Sequence, residues 1–244
     1  MRFVVVADIH ANLPAFQAVL SDAERRGAVD ELCCLGDVVG YGPWPHECLE
    51  ILRRYPHTCV AGNHDWGATG KIDISGFNAD ALAACRWTGE VLSAQDRDYL
   101  DNLPLVVEKG DFMLVHGSPK DPLREYLISL SCAEQNFACF TSRFCLVGHS
   151  HLPLVFTCSE RHGISCRYPA PVTRLSSGGS RLIINPGSVG QPRDGDPRAS
   201  YAIYDNETEE LEHYRVPYDI VRTQEKMMAC NLPPRLAARL THGT

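Results

Sequence analysis

The sequence predicts an α/β fold with two packed, mixed β-sheets and helices on the outside. In the first part of the chain, short apolar runs alternate with segments whose apolar residues recur at helical spacing, as in parallel sheets with helical crossovers. Toward the C-terminal end, short runs bounded by turns follow one another, which is typical of antiparallel strands. Because 44% of the 244 residues are hydrophobic, we expect one domain over residues 1–244 with a substantial core.

Local signals predict a strand–helix–strand–helix–strand order at the start of the chain. Asn12 can cap the first helix, and Pro14 fits its first turn, where a missing N–H costs little. A turn rich in glycine and proline precedes the second helix. The predicted segments are strands at 2–7, 31–35 and 57–61, a first helix after Asn12 and a second helix near 45–54.

Residues 67–103 break this alternation. The stretch predicts one or two helices and ends at Pro104. We interpret it as a helical insert that caps the edge of the sheet formed by the strand ends, although ordinary packing on the surface explains the same pattern equally well. Its apolar side carries Leu82, Cys85, Leu92, Leu100 and Leu103.

The remainder of the chain is predicted to be mostly β-structure, with a helical tail at 217–240. We expect this second half to form a mostly antiparallel sheet that packs against the first. The runs 200–205 and 210–215 predict a hairpin around an acidic turn. The other predicted elements are strands at 105–108, 111–115, 144–147, 153–157, 165–168, 172–175 and 181–184, and a helix near 131–141.

Composition excludes several functional classes. The formal net charge is −7 and the isoelectric point is about 5.8, so the chain lacks the basic surface of a dedicated nucleic-acid binder. No apolar run is long enough to span a bilayer. The opening MRFVVVAD reads as a strand rather than a signal peptide, and we expect a cytoplasmic protein. The 11 cysteines include no CxxC pair and are interpreted as small apolar residues of a reducing compartment, with a zinc site at Cys132, Cys139 and Cys145 as a remote alternative.

Polar residues of one chemical type follow successive predicted strands. Alternate residues of a strand point the same way, so the spacing of Asp8 and His10 would let both reach one metal ion. Small neighbours such as Gly36 and Gly148 leave room for this crowding. Nitrogen and oxygen ligands of this kind suit divalent metals, and two adjacent metals are a common arrangement for phosphate-ester hydrolysis. The candidate metal ligands are Asp8, His10, Asp37, Asn63, His116, His149 and His151.

With these residues in place, the chain resembles the calcineurin-like metallophosphoesterase superfamily, and within it the small bacterial and archaeal phosphodiesterases. The superfamily pattern is D-x-H, G-D, G-N-H-D/E, H and G-H-x-H. It appears here as Asp8-Ile9-His10, Gly36-Asp37, Gly62-Asn63-His64-Asp65, His116 and Gly148-His149-Ser150-His151. The turn NPGSVGQPR at 185–193 also matches the phosphodiesterase branch.

The resemblance implies a centre of two divalent ions bridged by Asp37 and by a hydroxide that attacks phosphorus. Manganese is favoured among manganese, iron, zinc and nickel. The resemblance further implies that His64 is the general acid, so His64, Asp37 and Asn63 are the predicted catalytic residues; Asp65 either orients His64 or is structural. The first ion would bind Asp8, His10, Asp37 and His151, and the second Asp37, Asn63, His116 and His149.

One position departs from a related branch of the superfamily. Protein phosphatases carry GDxVDRG, whose arginine grips a phosphate monoester, whereas Tyr41 stands at that position here. This substitution favours a phosphodiester and argues against both phosphoprotein and dinucleoside tetraphosphate substrates. Tyr41 and Trp44 could hold an apolar or base-like leaving group, although core packing is the favoured role for Trp44. Arg193 and Arg124 are the remaining candidates for phosphate contact.

The sequence therefore predicts a metal-dependent phosphoesterase that hydrolyses small phosphodiesters. A phosphomonoesterase with the same centre is the main alternative. A scaffold without turnover and a nuclease are less favoured, since all the ligands are present and the net charge is negative. The natural substrate stays open, and so does assembly into a homo-oligomer.

Overall fold

The computed structural model describes residues 1–27, 30–169, 172–174 and 179–244. Two six-stranded mixed sheets pack face to face and are covered by helices, which confirms the predicted fold class. Burial of alternating apolar residues on the facing sides of both sheets explains this arrangement.

The first sheet is built from both ends of the chain. Its strands run in the order β3-β2-β1-β11-β12-β9, with β1, β2 and β3 parallel and β11 antiparallel to β1. The strands are β1 (Arg2–Val6), β2 (Glu31–Cys34), β3 (His57–Cys59), β9 (Val172–Arg174), β11 (Ala199–Asp205) and β12 (Glu210–Val216).

The second sheet consists of the strands in the middle of the chain. Their order is β4-β5-β6-β10-β7-β8, in which β5, β6 and β10 are parallel and the other pairs antiparallel. The strands are β4 (Val106–Lys109), β5 (Phe112–Val115), β6 (Phe144–Leu146), β7 (Pro153–Ser159), β8 (Gly163–Arg167) and β10 (Arg181–Pro186).

Helices cover the outer faces of both sheets. The cluster around Phe16 and Leu49 packs the first two helices on the first sheet, and the cluster around Phe137 packs the sixth helix on the second sheet. Between the sheets lies a third cluster that includes Val5, Leu35 and Leu114. The helices are α1 (Leu13–Arg25), α2 (Pro45–Arg54), α3 (Asn63–Thr69), α4 (Ala79–Val91), α5 (Ala94–Asp101), α6 (Leu130–Phe137), α7 (Ile220–Ala229) and α8 (Pro234–Ala238), followed by a 3-10 turn at Arg239–Thr241.

The expected division into an N-terminal and a C-terminal sheet is wrong. Strands β9, β11 and β12 complete the first sheet instead, because β11 pairs with β1 from Arg2↔Asp205 to Val5↔Ala202. The hairpin of β11 and β12 is confirmed. The tail contains two helices rather than one, and the last residue of the predicted strand 172–175 lies outside the described residues.

The segment predicted as a helical insert holds most of α3 and all of α4 and α5. Cys85 and Leu100 of its apolar side are fully buried, whereas Leu82 is only half-buried. Because α3 begins at Asn63, the helical region starts directly after β3 and not at residue 67. The GNHD motif therefore forms the first turn of a helix.

Asp96 ties this helical region to α2. Its buried carboxylate accepts hydrogen bonds from Ser93 Oγ at 2.6 Å, His46 Nδ1 at 2.8 Å and Arg53 Nη2 at 2.8 Å. Burial by itself would raise the pKa of Asp96. The three hydrogen bonds outweigh the effect of burial and hold this pKa below its usual value. One carboxylate thus caps α5 and anchors it to α2.

We expect Asp96→Ala to lower the free energy of unfolding by about 2 kcal/mol or more at neutral pH, since it leaves several donors unpaired. The native pKa lies below the unfolded value of about 4. The carboxylate's contribution is therefore complete above pH 4 to 5, and it is lost as the pH falls through the native pKa. Denaturant unfolding of both proteins at several pH values measures this difference.

The control variant is Asp98→Ala, which removes an exposed carboxylate from the same helix. Its effect should stay within about 0.5 kcal/mol. Equal losses for the two variants, or a loss for Asp96→Ala that does not shrink in acid, would contradict the anchoring role.

Candidate metal centre

The seven predicted metal ligands lie together at the carboxyl ends of five strands. Asp8 and His10 follow β1, Asp37 follows β2 and Asn63 follows β3 in the first sheet. His116 follows β5 in the second sheet, and the remaining two, His149 and His151, follow β6. All seven side chains are buried, so two parallel strand edges, one from each sheet, deliver them to one place.

A first group of donors consists of Asp8, His10 and His151. The Nε2 atoms of the two histidines are 3.1 Å apart, and His151 Nε2 lies 3.5 Å from Asp8 Oδ1. Oδ2 of Asp8 is buried and has no hydrogen-bond partner. These three residues could hold one metal ion.

A second group consists of Asp37, His116 and His149. His116 Nε2 lies 3.4 Å from Asp37 Oδ2, 3.1 Å from His149 Nδ1 and 3.1 Å from the amide oxygen of Asn63. The same Asp37 Oδ2 is 3.7 Å from His10 Nε2 in the first group. Asp37 therefore stands between the two groups.

Backbone carbonyls orient each imidazole from behind. Nδ1 of His10, His116 and His151 lies 3.1, 2.8 and 2.6 Å from the carbonyl oxygens of Val39, Leu35 and Gln191, respectively. His149 uses the opposite nitrogen: its Nε2 lies 3.2 Å from the carbonyl oxygen of Arg124. Since a carbonyl only accepts, the nitrogen facing it carries a proton, and in a neutral ring the other nitrogen presents a lone pair to the site. His116 differs, because, against the effect of burial, Asp37 and Asp8 raise its pKa to about 10, and a bound cation would displace its second proton.

This arrangement fits bound cations. Burial is the main cause that lowers the pKa values of His10 and His151, so both rings are neutral. Their unprotonated Nε2 atoms then face each other across 3.1 Å with no proton between them. A divalent cation would turn this repulsion into coordination, and it would also pair the free oxygen of Asp8. The donor set of imidazole, carboxylate and amide oxygen suits divalent transition metals.

The backbone conformation corrects one step of the sequence reasoning. Asp8 and His10 lie beyond the end of β1, with φ values of 53° and 48°, so strand alternation does not bring them together. His149 and His151 share the left-handed conformation, at 62° and 60°. Such residues curl the chain back on itself, at a cost of the order of 1–3 kcal/mol each. Two tight turns, rather than two extended segments, therefore aim these side chains inward.

Asp65 holds the turns around Asp37 in place. Its buried carboxylate accepts N–H groups from Asp37 at 2.8 Å, Val39 at 3.0 Å and Gly62 at 2.9 Å. A Cβ on Gly62 would lie 2.0 Å from Asp37 Oδ1, which explains the glycine. Asp65 thus contacts the backbone of both loops and not the His64 ring, so the structure favours the structural role.

His64 lies beside both donor groups. Its backbone N–H donates to Asp37 Oδ1 at 2.8 Å, and the buried Nδ1 of its ring has no hydrogen-bond partner among the described residues. The ring centroid is 5.1 Å from that of His10, 4.4 Å from that of Tyr41 and 5.0 Å from that of Phe77. Burial lowers the pKa of His64 to about 4, so this side chain is neutral at pH 7.

A cleft with two arms opens over the site, and Tyr41 and Asn78 line both arms. The first arm, of about 580 Å³, is also lined by His64, Arg124 and two further aromatic residues. Phe77 comes from the helical insert, and Tyr126 stacks on His149 with ring centroids 4.1 Å apart. The second arm, of about 560 Å³, is lined by Ala79, Asp80, Arg235, Leu236, Arg239 and Thr244.

The structure separates the substrate candidates. Tyr41 and Arg124 line the cleft, and the Arg193 guanidinium lies 5.9 Å from the Tyr41 ring centroid. Trp44 lies in the hydrophobic core instead. Sequence reasoning missed Tyr126 and Arg239, because nothing in their local sequence marks them as neighbours of the site.

Two further findings concern the chain as a whole. None of the helices in the described part of the chain has the length and apolar character needed to cross a bilayer. Cys33, Cys34, Cys59 and Cys145 are buried, as expected. The alternative of a zinc site at three cysteines is wrong. Cys145 is buried in the core beneath α6, whereas the thiols of Cys132 and Cys139 donate to nearby backbone carbonyls.

Known proteins are similar to this chain in sequence and architecture. An uncharacterised protein of Methanocaldococcus jannaschii is 39% identical over 244 residues, which cover 98% of this chain and 97% of that protein. The crystal structure of a metallophosphoesterase from Sphaerobacter thermophilus has 43% identity and a TM-score of 0.88, and the match covers 100% of this chain and 99% of that one.

A more distant similarity covers part of the chain. The symmetrical bis(5′-nucleosyl)-tetraphosphatase of Ectopseudomonas mendocina is 32% identical over 102 residues, or 41% of this chain and 36% of that protein. This chain therefore spans little more than a third of that relative. The model of the calcineurin-like phosphoesterase superfamily domain, by contrast, matches residues 1–209. The sequence match, the two-sheet fold and the buried donor groups agree, and the chain belongs to the calcineurin-like phosphoesterase superfamily.

Proposed function

We propose that this protein hydrolyses small phosphodiesters at a binuclear metal centre. The observation that carries the proposal is the position of Asp37, whose Oδ2 lies 3.7 Å from His10 of one donor group and 3.4 Å from His116 of the other. A carboxylate between two sets of imidazoles is suited to bridge two cations. A single structural metal would not require the second set.

The residues divide between two divalent ions, for which manganese is the favoured identity. When bound, such ions supply an activated water and neutralise the oxygens of the phosphate. Carbonyl contacts hold the imidazoles in the required tautomers before metal or substrate arrives. The first ion would be held by Asp8, His10, Asp37 and His151, and the second by Asp37, Asn63, His116 and His149.

His64 is the proposed general acid. It lines the first arm beside Tyr41, which lines both arms, so a leaving group held in the first arm would depart next to it. With a pKa of about 4, the free ring is neutral at pH 7 and must gain a second proton before it can act as an acid. An anionic phosphate beside the His64 ring would raise its pKa, so bound substrate would favour the protonated, acidic form of His64.

The cleft favours a diester over a monoester. Two arms of similar volume share Tyr41 and Asn78, and the first is also lined by Asn63 and His149 of the metal centre. This arrangement would leave room for a substituent on each side of one phosphate. Tyr41, where protein phosphatases have an arginine, offers a ring and not a bidentate cation. The relative from Ectopseudomonas mendocina is named for a substrate with nucleosyl groups at both ends, which supports a two-sided substrate.

The helical insert acts as a cap in this proposal. Residues of its connecting loop, Asp73 to Asn78, line the first arm, and Phe77 packs 5.0 Å from His64. The insert thereby shields the proposed acid from solvent, which keeps the local dielectric low and strengthens the electrostatic interactions at the site. In this view residues 1–244 work as one domain.

We expect chelator-stripped protein to lose hydrolysis of bis(p-nitrophenyl) phosphate and to regain it when manganese or another divalent ion is added singly. Metal analysis of the active protein should give two ions per chain. Asp37→Asn should lower both the metal content and kcat, because it weakens the shared ligand. Turnover of p-nitrophenyl phosphate alone would refute the diesterase assignment and favour the monoesterase.

A second expectation separates acid catalysis from structure. His64→Ala should lower kcat by roughly 10²-fold or more for a diester with an alkyl leaving group, which needs a proton. The loss should be much smaller for a p-nitrophenyl leaving group, which departs as a stable anion. His162→Ala, at an exposed histidine, serves as the control. Equal losses on both substrates would argue against an acid role for His64.

A further inference from the structure

Two arginines, one of which lines the second arm, share one acceptor. Arg193 Nη2 donates to Gln191 Oε1 at 2.9 Å, and Arg239 Nη1 donates to the same oxygen at 3.1 Å. The two donor nitrogens therefore lie within about 6 Å of each other. Among the described residues, no aspartate or glutamate side chain forms an ion pair with either guanidinium. We call Arg193, Gln191 and Arg239 the arginine pair site.

This site is attached to the metal centre. The backbone oxygen of Gln191 lies 2.6 Å from His151 Nδ1, so one residue orients a proposed metal ligand and bridges the two arginines. The Arg193 guanidinium lies 5.9 Å from the Tyr41 ring centroid, and that centroid is 4.6 Å from that of His10. Arg239 lines the second arm itself. The arginine pair site therefore adjoins the metal centre through the contact between Gln191 and His151.

The polar atoms of this site are left incompletely paired. Gln191 is 1% exposed, and its Nε2 has no hydrogen-bond partner among the described residues; the same holds for the buried Nε of Arg193. Arg239 Nε donates to the main-chain oxygen of Thr244, and its Nη1 donates to Gln191. Buried donors normally find acceptors. Two positive charges lie around a neutral amide, and the donors Gln191 Nε2 and Arg193 Nε lack acceptors. This arrangement favours the binding of an anion.

We propose that the arginine pair site binds a second phosphate group of the substrate, carried on one of the two substituents of the phosphate that is cleaved. This inference rests on the proposed function, because it places the cleaved phosphate at the metal centre. Guanidinium groups recognise phosphate oxygens through paired, directional N–H donors. The preferred substrates are therefore diesters with a terminal phosphate, not simple neutral-substituted diesters.

The test compares matched substrates. These are p-nitrophenyl diesters of phosphate whose other substituent is an ethyl or propyl chain ending in either phosphate or hydroxyl. For the wild-type protein, we expect kcat/KM to be at least tenfold higher for the phosphate-ended member of a pair. Arg239→Gln should reduce this ratio toward one, and Arg239→Lys should retain part of it because the charge remains.

Arg222→Gln provides the matched control, since Arg222 is exposed on the neighbouring α7 and does not line the second arm. It should keep the wild-type ratio. Melting temperatures of all variants identify any that fail to fold. A wild-type ratio near one for both chain lengths, or a ratio that survives in Arg239→Gln, would overturn the inference.

Failure of the proposed function would give a different result. If no diester is hydrolysed with any metal, the diesterase proposal fails, and calorimetric binding of the same uncleaved pairs still tests the arginine pair site. Tighter binding of the phosphate-ended compounds that is lost in Arg239→Gln would support the site. Equal binding of both members would refute it.

Discussion

The geometry of the whole site depends on three backbone N–H groups that converge on the carboxylate of Asp65. They belong to Asp37, Val39 and Gly62, on the loops after β2 and β3. Neither loop has regular pairing of its own at that point, so the buried carboxylate satisfies amides that would otherwise lack acceptors. Because Val39 also supplies the carbonyl that orients His10, one buried interaction positions the shared carboxylate and an imidazole of the first donor group.

Packing of the two sheets offsets the free-energy cost of this arrangement. Left-handed residues such as Asp8, Asp37 and His149 are unfavourable by themselves, and so is the burial of several unpaired imidazole nitrogens. The apolar cluster between the two sheets and the clusters beneath the helices stabilise the strands from which these turns project. A rigid scaffold can hold strained turns in one conformation, and bound cations would turn the remaining repulsion into attraction.

Charge is distributed unevenly in this acidic protein. The chain carries a net charge of −7, yet the cleft contains Arg124 and Arg239 in its two arms, and Arg193 lies beside their junction. The first arm adds the rings of Phe77 and Tyr126. In the proposed function, such an asymmetric cleft would distinguish the two sides of one phosphate, and the selectivity would arise from groups that are not metal ligands.

The sequence by itself determined the α/β class, the superfamily and most strand positions, because burial patterns and the order of motifs are local properties. It also singled out the seven candidate ligands and His64, whose roles stay predictions. Only the tertiary structure decided that β11 lies beside β1, that Asp65 binds backbone amides and that Arg239 joins Arg193 at Gln191. The physical reason is that these contacts join residues far apart in the chain, and their geometry depends on how the two sheets and the C-terminal helices pack.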